Sequence, residues 1–145
     1  MIPAQWEGPL VRLLCVALGG GLGASARYVL GGLIQGRAGD ALQGTRLAVF
    51  PWGTLAINLI GCFAIGLLWV LAEERQMSPN LRMFIFVGIL GGFTTFSSYA
   101  LECFNLAGDR ELALTLGNIL ASNVVGLGLV YVGAVAGRAL LAAMR

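Results

Sequence analysis

The chain has 145 residues, of which 58% are hydrophobic and 11% are charged, and nine basic against seven acidic residues leave a net charge of +2. Soluble domains typically carry about 25% charged residues. This composition therefore excludes a water-exposed globular enzyme, a disordered chain and a nucleic-acid binder with a basic surface. Histidine is absent, which also excludes His-ligated metals. We expect a single integral membrane domain, 1–145.

Four apolar stretches approach or exceed the length of about 20 residues that a membrane-spanning helix needs. They predict four transmembrane helices per subunit of an all-α membrane protein, at about 12–36, 50–73, 82–103 and 112–139. The first stretch has a second interpretation, because Ala24-Ser25-Ala26 after an apolar run is typical of a cleaved signal peptide. The apolar sequence resumes after Arg27, however, which favours a retained first span.

Arg27 is the charged residue that falls inside a predicted span, whereas acidic residues fall in loops or, like Glu102, at span ends that reach water. Charge inside a membrane is costly and often functional. A buried cation favours an anionic or neutral substrate, and the lack of a buried acid argues against a small four-helix coupled exporter of the multidrug-resistance type. Arg27 can equally hold the fold by reaching the interface or a helix C-terminus, and both roles stay open.

The arginines between the spans give a weak orientation signal. With the N-terminus in the cytoplasm, the cytoplasmic arginines would be Arg12, Arg75, Arg82, Arg138 and Arg145. The outer ones would be Arg37, Arg46 and Arg110. Under the positive-inside rule, so small an excess permits one fixed orientation or insertion both ways up.

Polar residues in the second and third spans are candidates for a site inside the membrane. The amide of Asn58 is expected either to bond a neighbouring helix or to contact a ligand. The stretch Gly91–Tyr99 (GGFTTFSSY) joins two glycines to four threonine and serine residues and is poor helix material, so we expect the third helix to be broken there. Such breaks occur where protein or water satisfies the backbone. The alternative is a glycine kink in a packed helix.

Aromatic and amide side chains extend this polar region. Phe96 and Tyr99 share a face of the resumed helix, where the positive edges of their rings can accommodate an anion. In the fourth span, Asn118 and Ser122 face one way and Asn123 adjoins them, which predicts a polar stripe. The sequence contains no nucleophile–base pair or phosphate loop, so we expect no enzyme.

Glycines four residues apart predict close helix packing. The pairs are Gly19/Gly23, Gly32/Gly36, Gly88/Gly92 and Gly133/Gly137. Three isolated cysteines are interpreted as packing residues.

Three stretches, GGGLGASARY (Gly19–Tyr28), GTLAINLIGCFAIG (Gly53–Gly66) and GGFTTFSSY (Gly91–Tyr99), resemble the signature stretches of the Fluc (CrcB) fluoride channels. The resemblance covers nearly the whole chain, in the expected order. It implies a passive, fluoride-selective channel in the inner or plasma membrane that exports fluoride from the cytoplasm and so reduces its toxicity. It also implies an antiparallel, dual-topology homodimer with two pores and a sodium ion at the dimer centre.

The resemblance also implies roles for individual residues. Backbone carbonyls of Gly91 and Thr94 would hold the sodium ion. The fluoride pore would be lined by residues that match the family's asparagine, aromatic pair and polar track, namely Asn58, Phe96, Tyr99, Ser97, Ser98 and Ser122. Asn118 stands where the family often has a tyrosine and is placed in the same pore. Arg27 matches the family's arginine, as a vestibule or structural charge.

The chain departs from the family pattern at a few places. Tyr99 replaces a phenylalanine, which adds a hydroxyl group to the pore. The 35–48 loop and the N-terminal segment look longer than usual, and no role is assigned to them. Two alternatives to a channel stay open: the coupled exporter, and an assembly subunit that carries no flux.

Overall fold

The computed structural model describes residues 8–144, and this part of the chain is helical. Four spans are long and apolar enough to cross a membrane: Pro9–Ala41, Trp52–Glu74, Pro79–Gly108 and Leu112–Ala143. The expected all-α, multi-pass membrane fold is therefore confirmed. The first and third spans extend several residues beyond both predicted limits. The N-terminal segment 1–7 and the loop charge Arg145 lie outside the described residues.

Local sequence explains where the helices begin. Proline occupies the first turn of the first and third spans, at Pro9 and Pro79, where its missing N–H removes no helical hydrogen bond. Ser78 caps the third span, since its Oγ accepts a hydrogen bond from the Leu81 N–H at 3.4 Å. The second span starts at Trp52, directly after Pro51.

The third span is not a uniform helix. It contains a π-helical stretch, Met83–Leu90, followed by a short α-helical piece, Gly91–Phe93. Thr94 and Thr95 then have extended backbone, with φ/ψ of −87°/159° and −150°/118°. An α-helix resumes at Phe96 and continues to Gly108. Two peptide units in the middle of an apolar span therefore lie outside regular helix.

Glycines hold the first span against the third. A Cβ on Gly19 would lie 2.5 Å from the Phe84 carbonyl oxygen, and a Cβ on Gly23 would collide with the carbonyl oxygen of Ile89. From the other side, a Cβ on Gly92 would lie 2.5 Å from the carbonyl oxygen of Gly20. The two helices therefore touch backbone to backbone, as the glycine spacing predicts.

A second glycine contact joins the second and fourth spans. A Cβ on Gly66 would collide with the Val130 carbonyl oxygen, and one on Gly133 with the Phe63 carbonyl oxygen. The sequence predicts the role of Gly133, whereas Gly66 belongs to no predicted pair. Within the described residues, a Cβ on either member of the Gly32/Gly36 pair would meet no atom within 4 Å, so that pair makes no such contact.

Side chains fix the two ends of the second span. At its start, Gln35 Oε1 accepts a hydrogen bond from the Gly53 N–H at 3.0 Å, and its Nε2 donates to the Phe50 carbonyl at 3.2 Å. At its end, Arg82 Nη1 lies 2.7 Å from Glu73 Oε1. The second span is thereby tied to the first at one end and to the third at the other.

Candidate functional site

Asn58 satisfies the backbone of the non-helical residues in the third span. Its Oδ1 accepts a hydrogen bond from the Thr95 N–H at 2.8 Å, and its Nδ2 donates to the Thr95 carbonyl at 3.0 Å. The Oγ1 of Thr95 in turn caps the resumed helix by accepting from the Ser98 N–H at 3.2 Å. Peptide groups inside a membrane need such partners. One amide from the second span therefore holds the extended segment in place.

The same arrangement leaves the Gly91 carbonyl without its usual helical partner. The Thr94 N–H donates to the Leu90 carbonyl at 3.0 Å, and the Thr95 N–H donates to Asn58. The amide four residues after Gly91 is therefore already used. Helix C-termini present unpaired carbonyl oxygens in this way, and Gly91 is exposed on the described chain.

A cavity of about 350 Å³ lies beside the extended segment. None of the described residues that line it is charged. They are amides, hydroxyl residues, aromatic rings and small or apolar residues: Asn58, Gly61, Cys62, Ile65, Phe86, Leu90, Gly91, Thr94, Thr95, Phe96, Tyr99, Ser122 and Asn123. We call this the uncharged cavity.

A second cavity of about 550 Å³ is lined mainly by residues of the first three spans. Its lining includes one positively and one negatively charged residue, Arg27 and Glu102. We call it the charged cavity. Thr95 lines both cavities, so the two approach each other at the extended segment.

Glu102 lies inside the membrane-spanning helix rather than at its end, because the third span continues to Gly108. Its Oε1 accepts a hydrogen bond from the Thr54 hydroxyl at 2.5 Å. Its Oε2 is buried and has no hydrogen-bond partner in the described part of the chain. Glu102 was expected at the very end of its span, whereas the helix continues for six residues beyond it. The third span was expected to end at residue 103, five residues before its end at Gly108.

The structure distributes the expected site residues over both cavities. Asn58, Phe96, Tyr99 and Ser122 line the uncharged cavity together with Gly91 and Thr94. Arg27 and Ser98 line the charged cavity. Ser97 is exposed and lies on neither cavity, although its Oγ is 3.4 Å from Thr95 Oγ1.

Asn118 is the clearest departure from the expected lining. It is 1% exposed and lines neither cavity. Its Nδ2 donates to Cys103 Sγ at 3.4 Å, and its Oδ1 accepts from Ser122 Oγ at 3.3 Å. Asn118 faces the second half of the third span, and Ser122, one turn later, reaches the cavity. Asn118 therefore packs between two helices and orients Ser122.

The aromatic pair consists of an exposed phenylalanine and a half-buried tyrosine. The ring centroids of Phe96 and Tyr99 are 5.5 Å apart, with an interplanar angle of 55°. Phe96 is 78% exposed, in the middle of the membrane-spanning region. Asn123 donates a hydrogen bond to the Tyr99 hydroxyl oxygen at 3.2 Å. The sequence indicated that Asn123 belongs to a polar stripe but gave no sign of this pairing.

The chain has four apolar spans, an extended segment within the third, and two cavities that both reach Thr95 in this segment. These features define a multi-pass membrane protein with a polar site inside the membrane. The chain belongs to the CrcB family: the family model described as "CrcB-like protein, Camphor Resistance (CrcB)" matches residues 14–134. The expected family membership is thereby confirmed.

Several relatives match most of the chain. A protein from Salinibacter ruber is 50% identical over 125 residues, which cover 86% of this chain and 88% of the relative. Relatives from Thermus thermophilus and Magnetococcus marinus are 44% and 43% identical, covering 90% and 88% of this chain and 98% of each relative. All three are named fluoride-specific ion channel FluC.

Proposed function

We propose that the protein is a passive, fluoride-selective channel that exports fluoride from the cytoplasm. The observation that carries this proposal is the uncharged cavity beside the extended segment, which offers amide, hydroxyl and aromatic-edge groups inside the membrane. The function named for the relatives agrees with it.

The chemistry of the cavity suits a small anion that must lose its water. Asn58 uses one of its two amide hydrogens on Thr95, so the other is available to an ion. The edges of aromatic rings carry partial positive charge and add weaker support. Conduction requires binding that is favourable but not too tight, which an uncharged lining provides. An interior-negative potential contributes about 2.3 kcal/mol per charge per 100 mV and drives anions outward without a coupling ion.

The charged cavity supports a route to this lining. Arg27 would attract anions into this cavity, against the opposing charge of Glu102. Because Thr95 lines both cavities, an ion that leaves the charged cavity meets the extended segment next. We place the break that functions in permeation at Thr94 and Thr95.

Phe96→Ile is expected to lower fluoride efflux at least about tenfold, because isoleucine fills a similar volume but lacks a positive ring edge. The measurement is fluoride and chloride efflux from liposomes containing purified protein, read with ion-selective electrodes. Phe104→Ile is the matched control, since Phe104 is 75% exposed on the same half-span and lies on neither cavity. Equal efflux rates for Phe96→Ile and the wild type would show that the ring of Phe96 does not assist the permeating ion.

The same liposomes separate a channel from the coupled exporter, for which Glu102 is a candidate carrier of the coupling ion. A channel passes fluoride when valinomycin supplies a counter-current of K⁺, with no proton or sodium gradient. An exporter needs the gradient. Efflux that appears only with a gradient and disappears in Glu102→Gln would favour the exporter.

We also propose that two copies form an antiparallel homodimer in the membrane. Ser97 and Asn123 are exposed near the middle of their spans, where polar groups facing lipid are costly. An isologous partner would cover them. The weak arginine bias permits insertion both ways up. Reporters fused after residue 145 are expected to signal from both sides of the membrane, and a single orientation would contradict dual topology.

We propose a structural sodium ion at the centre of this dimer. The Gly91 carbonyl lacks its helical amide partner and lies on the exposed face, which suits a backbone-oxygen ligand. The Thr94 carbonyl, at the next turn, would complete the set from each copy. Replacing Na⁺ by N-methylglucamine is expected to shift the dimer toward monomer in light scattering. A dimer mass that is independent of Na⁺ at every protein concentration would contradict the site.

A further inference from the structure

One residue that lines the uncharged cavity carries a hydroxyl group whose proton has no acceptor within residues 8–144. Four hydroxyl residues line this cavity: Thr94, Thr95, Tyr99 and Ser122. The threonines donate to a backbone carbonyl and to a serine hydroxyl, both at 3.0 Å, and Ser122 donates to an amide oxygen at 3.3 Å. The Tyr99 hydroxyl has no acceptor for its proton among residues 8–144.

Asn123 explains why this proton is free. Its Nδ2 donates one hydrogen to the Ile119 carbonyl at 2.8 Å and the other to the Tyr99 hydroxyl oxygen at 3.2 Å. A backbone carbonyl can only accept, so the bond to Ile119 determines which amide atom is the nitrogen. The Tyr99 oxygen therefore accepts from Asn123, and its own O–H is left to donate elsewhere.

We infer that the Tyr99 hydroxyl donates a hydrogen bond to the permeating fluoride ion and that Asn123 is the positioning residue that keeps this proton available. The inference rests on the proposed channel function. Hydrogen bonds from a hydroxyl to an anion are short and about twice as strong as neutral ones. Because Asn123 uses both amide hydrogens within the protein, it acts through Tyr99 rather than on the ion.

The position of Tyr99 in the cavity lining supports this role. Tyr99 lines the uncharged cavity next to Phe96, with the two ring centroids 5.5 Å apart. A phenylalanine at position 99 would offer a ring edge alone. The hydroxyl therefore adds a donor that the family pattern lacks, and the expected consequence is tighter fluoride binding in this chain.

The test is a double-mutant cycle read as the fluoride concentration that gives half-maximal efflux from liposomes. Tyr99→Phe is expected to remain a fluoride-selective channel but to need about tenfold more fluoride. Asn123→Leu is expected to shift the concentration in the same direction. Because Asn123 acts through the hydroxyl, Asn123→Leu should add nothing in the Tyr99→Phe background. Tyr131→Phe is the control, since Tyr131 is an exposed tyrosine of the fourth span on neither cavity.

Each outcome decides a separate point. A wild-type half-maximal concentration in Tyr99→Phe would overturn the inference while leaving the channel function intact. A wild-type protein that passes no fluoride would overturn the proposed function itself. Additive shifts in the double variant would overturn the positioning role of Asn123. Gel filtration shows whether each variant is folded. If Asn123→Leu does not fold, Asn123→Ala replaces it in the double-mutant cycle.

Discussion

Asn58→Asp is expected to lower fluoride efflux about 100-fold, the largest effect of any single substitution in the lining. Aspartate keeps an acceptor for the Thr95 N–H, but it loses the hydrogen that Asn58 Nδ2 donates to the Thr95 carbonyl at 3.0 Å. A carboxylate oxygen would then face a carbonyl oxygen. The added negative charge would also repel an anion at the extended segment, where the two cavities approach each other.

The measurement is the initial rate of fluoride efflux from liposomes, with the dimer mass determined for the same preparation. Asn105→Asp is the matched control, because Asn105 is exposed near the end of the third span and lies on neither cavity. It should keep the wild-type rate. If Asn58→Asp also keeps that rate, the ion path does not pass Asn58.

Gly23→Ala is expected to destabilise the folded protein by about 3 kcal/mol or more, although it adds a single methyl group. The new Cβ would collide with the Ile89 carbonyl oxygen and would lie 2.8 Å from the Phe93 nitrogen. Both are backbone atoms, which cannot rotate away as a flexible side chain can. The first and third spans would have to separate directly beside the extended segment, so efflux should be lost together with stability.

Gly21→Ala provides the control within the same helix. Among the described residues, a Cβ on Gly21 would meet no atom within 4 Å, and alanine favours helix over glycine. Thermal unfolding followed by gel filtration should show a large decrease in midpoint for Gly23→Ala and little change for Gly21→Ala. Equal midpoints for the two variants would show that the close contact at Gly23 does not hold the spans together.

Much of the candidate site could be predicted from sequence because some of its determinants are local. Glycines and hydroxyl residues between 91 and 99 lower helix propensity wherever the segment packs, and Thr94 and Thr95 are extended. Asn58 was likewise singled out, because an amide inside an apolar run is costly unless it has a partner. What local patterns could not supply was the partner, the backbone of Thr95, which is 37 positions away in the chain.

Other features of the site depend on contacts that local sequence does not reveal. Asn118 and Asn123 look alike in the sequence, yet one is 1% exposed between helices and the other holds Tyr99 at the uncharged cavity. The fourth span changes to π-helix at Ala121–Val125, between these two asparagines. Glu102 was placed at the end of its span because that span was expected to end near residue 103, whereas it continues to Gly108.

The sequence by itself determined that this is a membrane protein with four spans, because the transfer of a helix into lipid depends on the summed hydrophobicity of a contiguous stretch. Only the tertiary structure decided which polar side chains share a cavity. That choice depends on the rotation of each helix about its axis, which is set by glycine contacts such as those of Gly23 and Gly66 with distant carbonyl groups. Packing of this kind acts between segments that are far apart in the chain, so it leaves no local pattern.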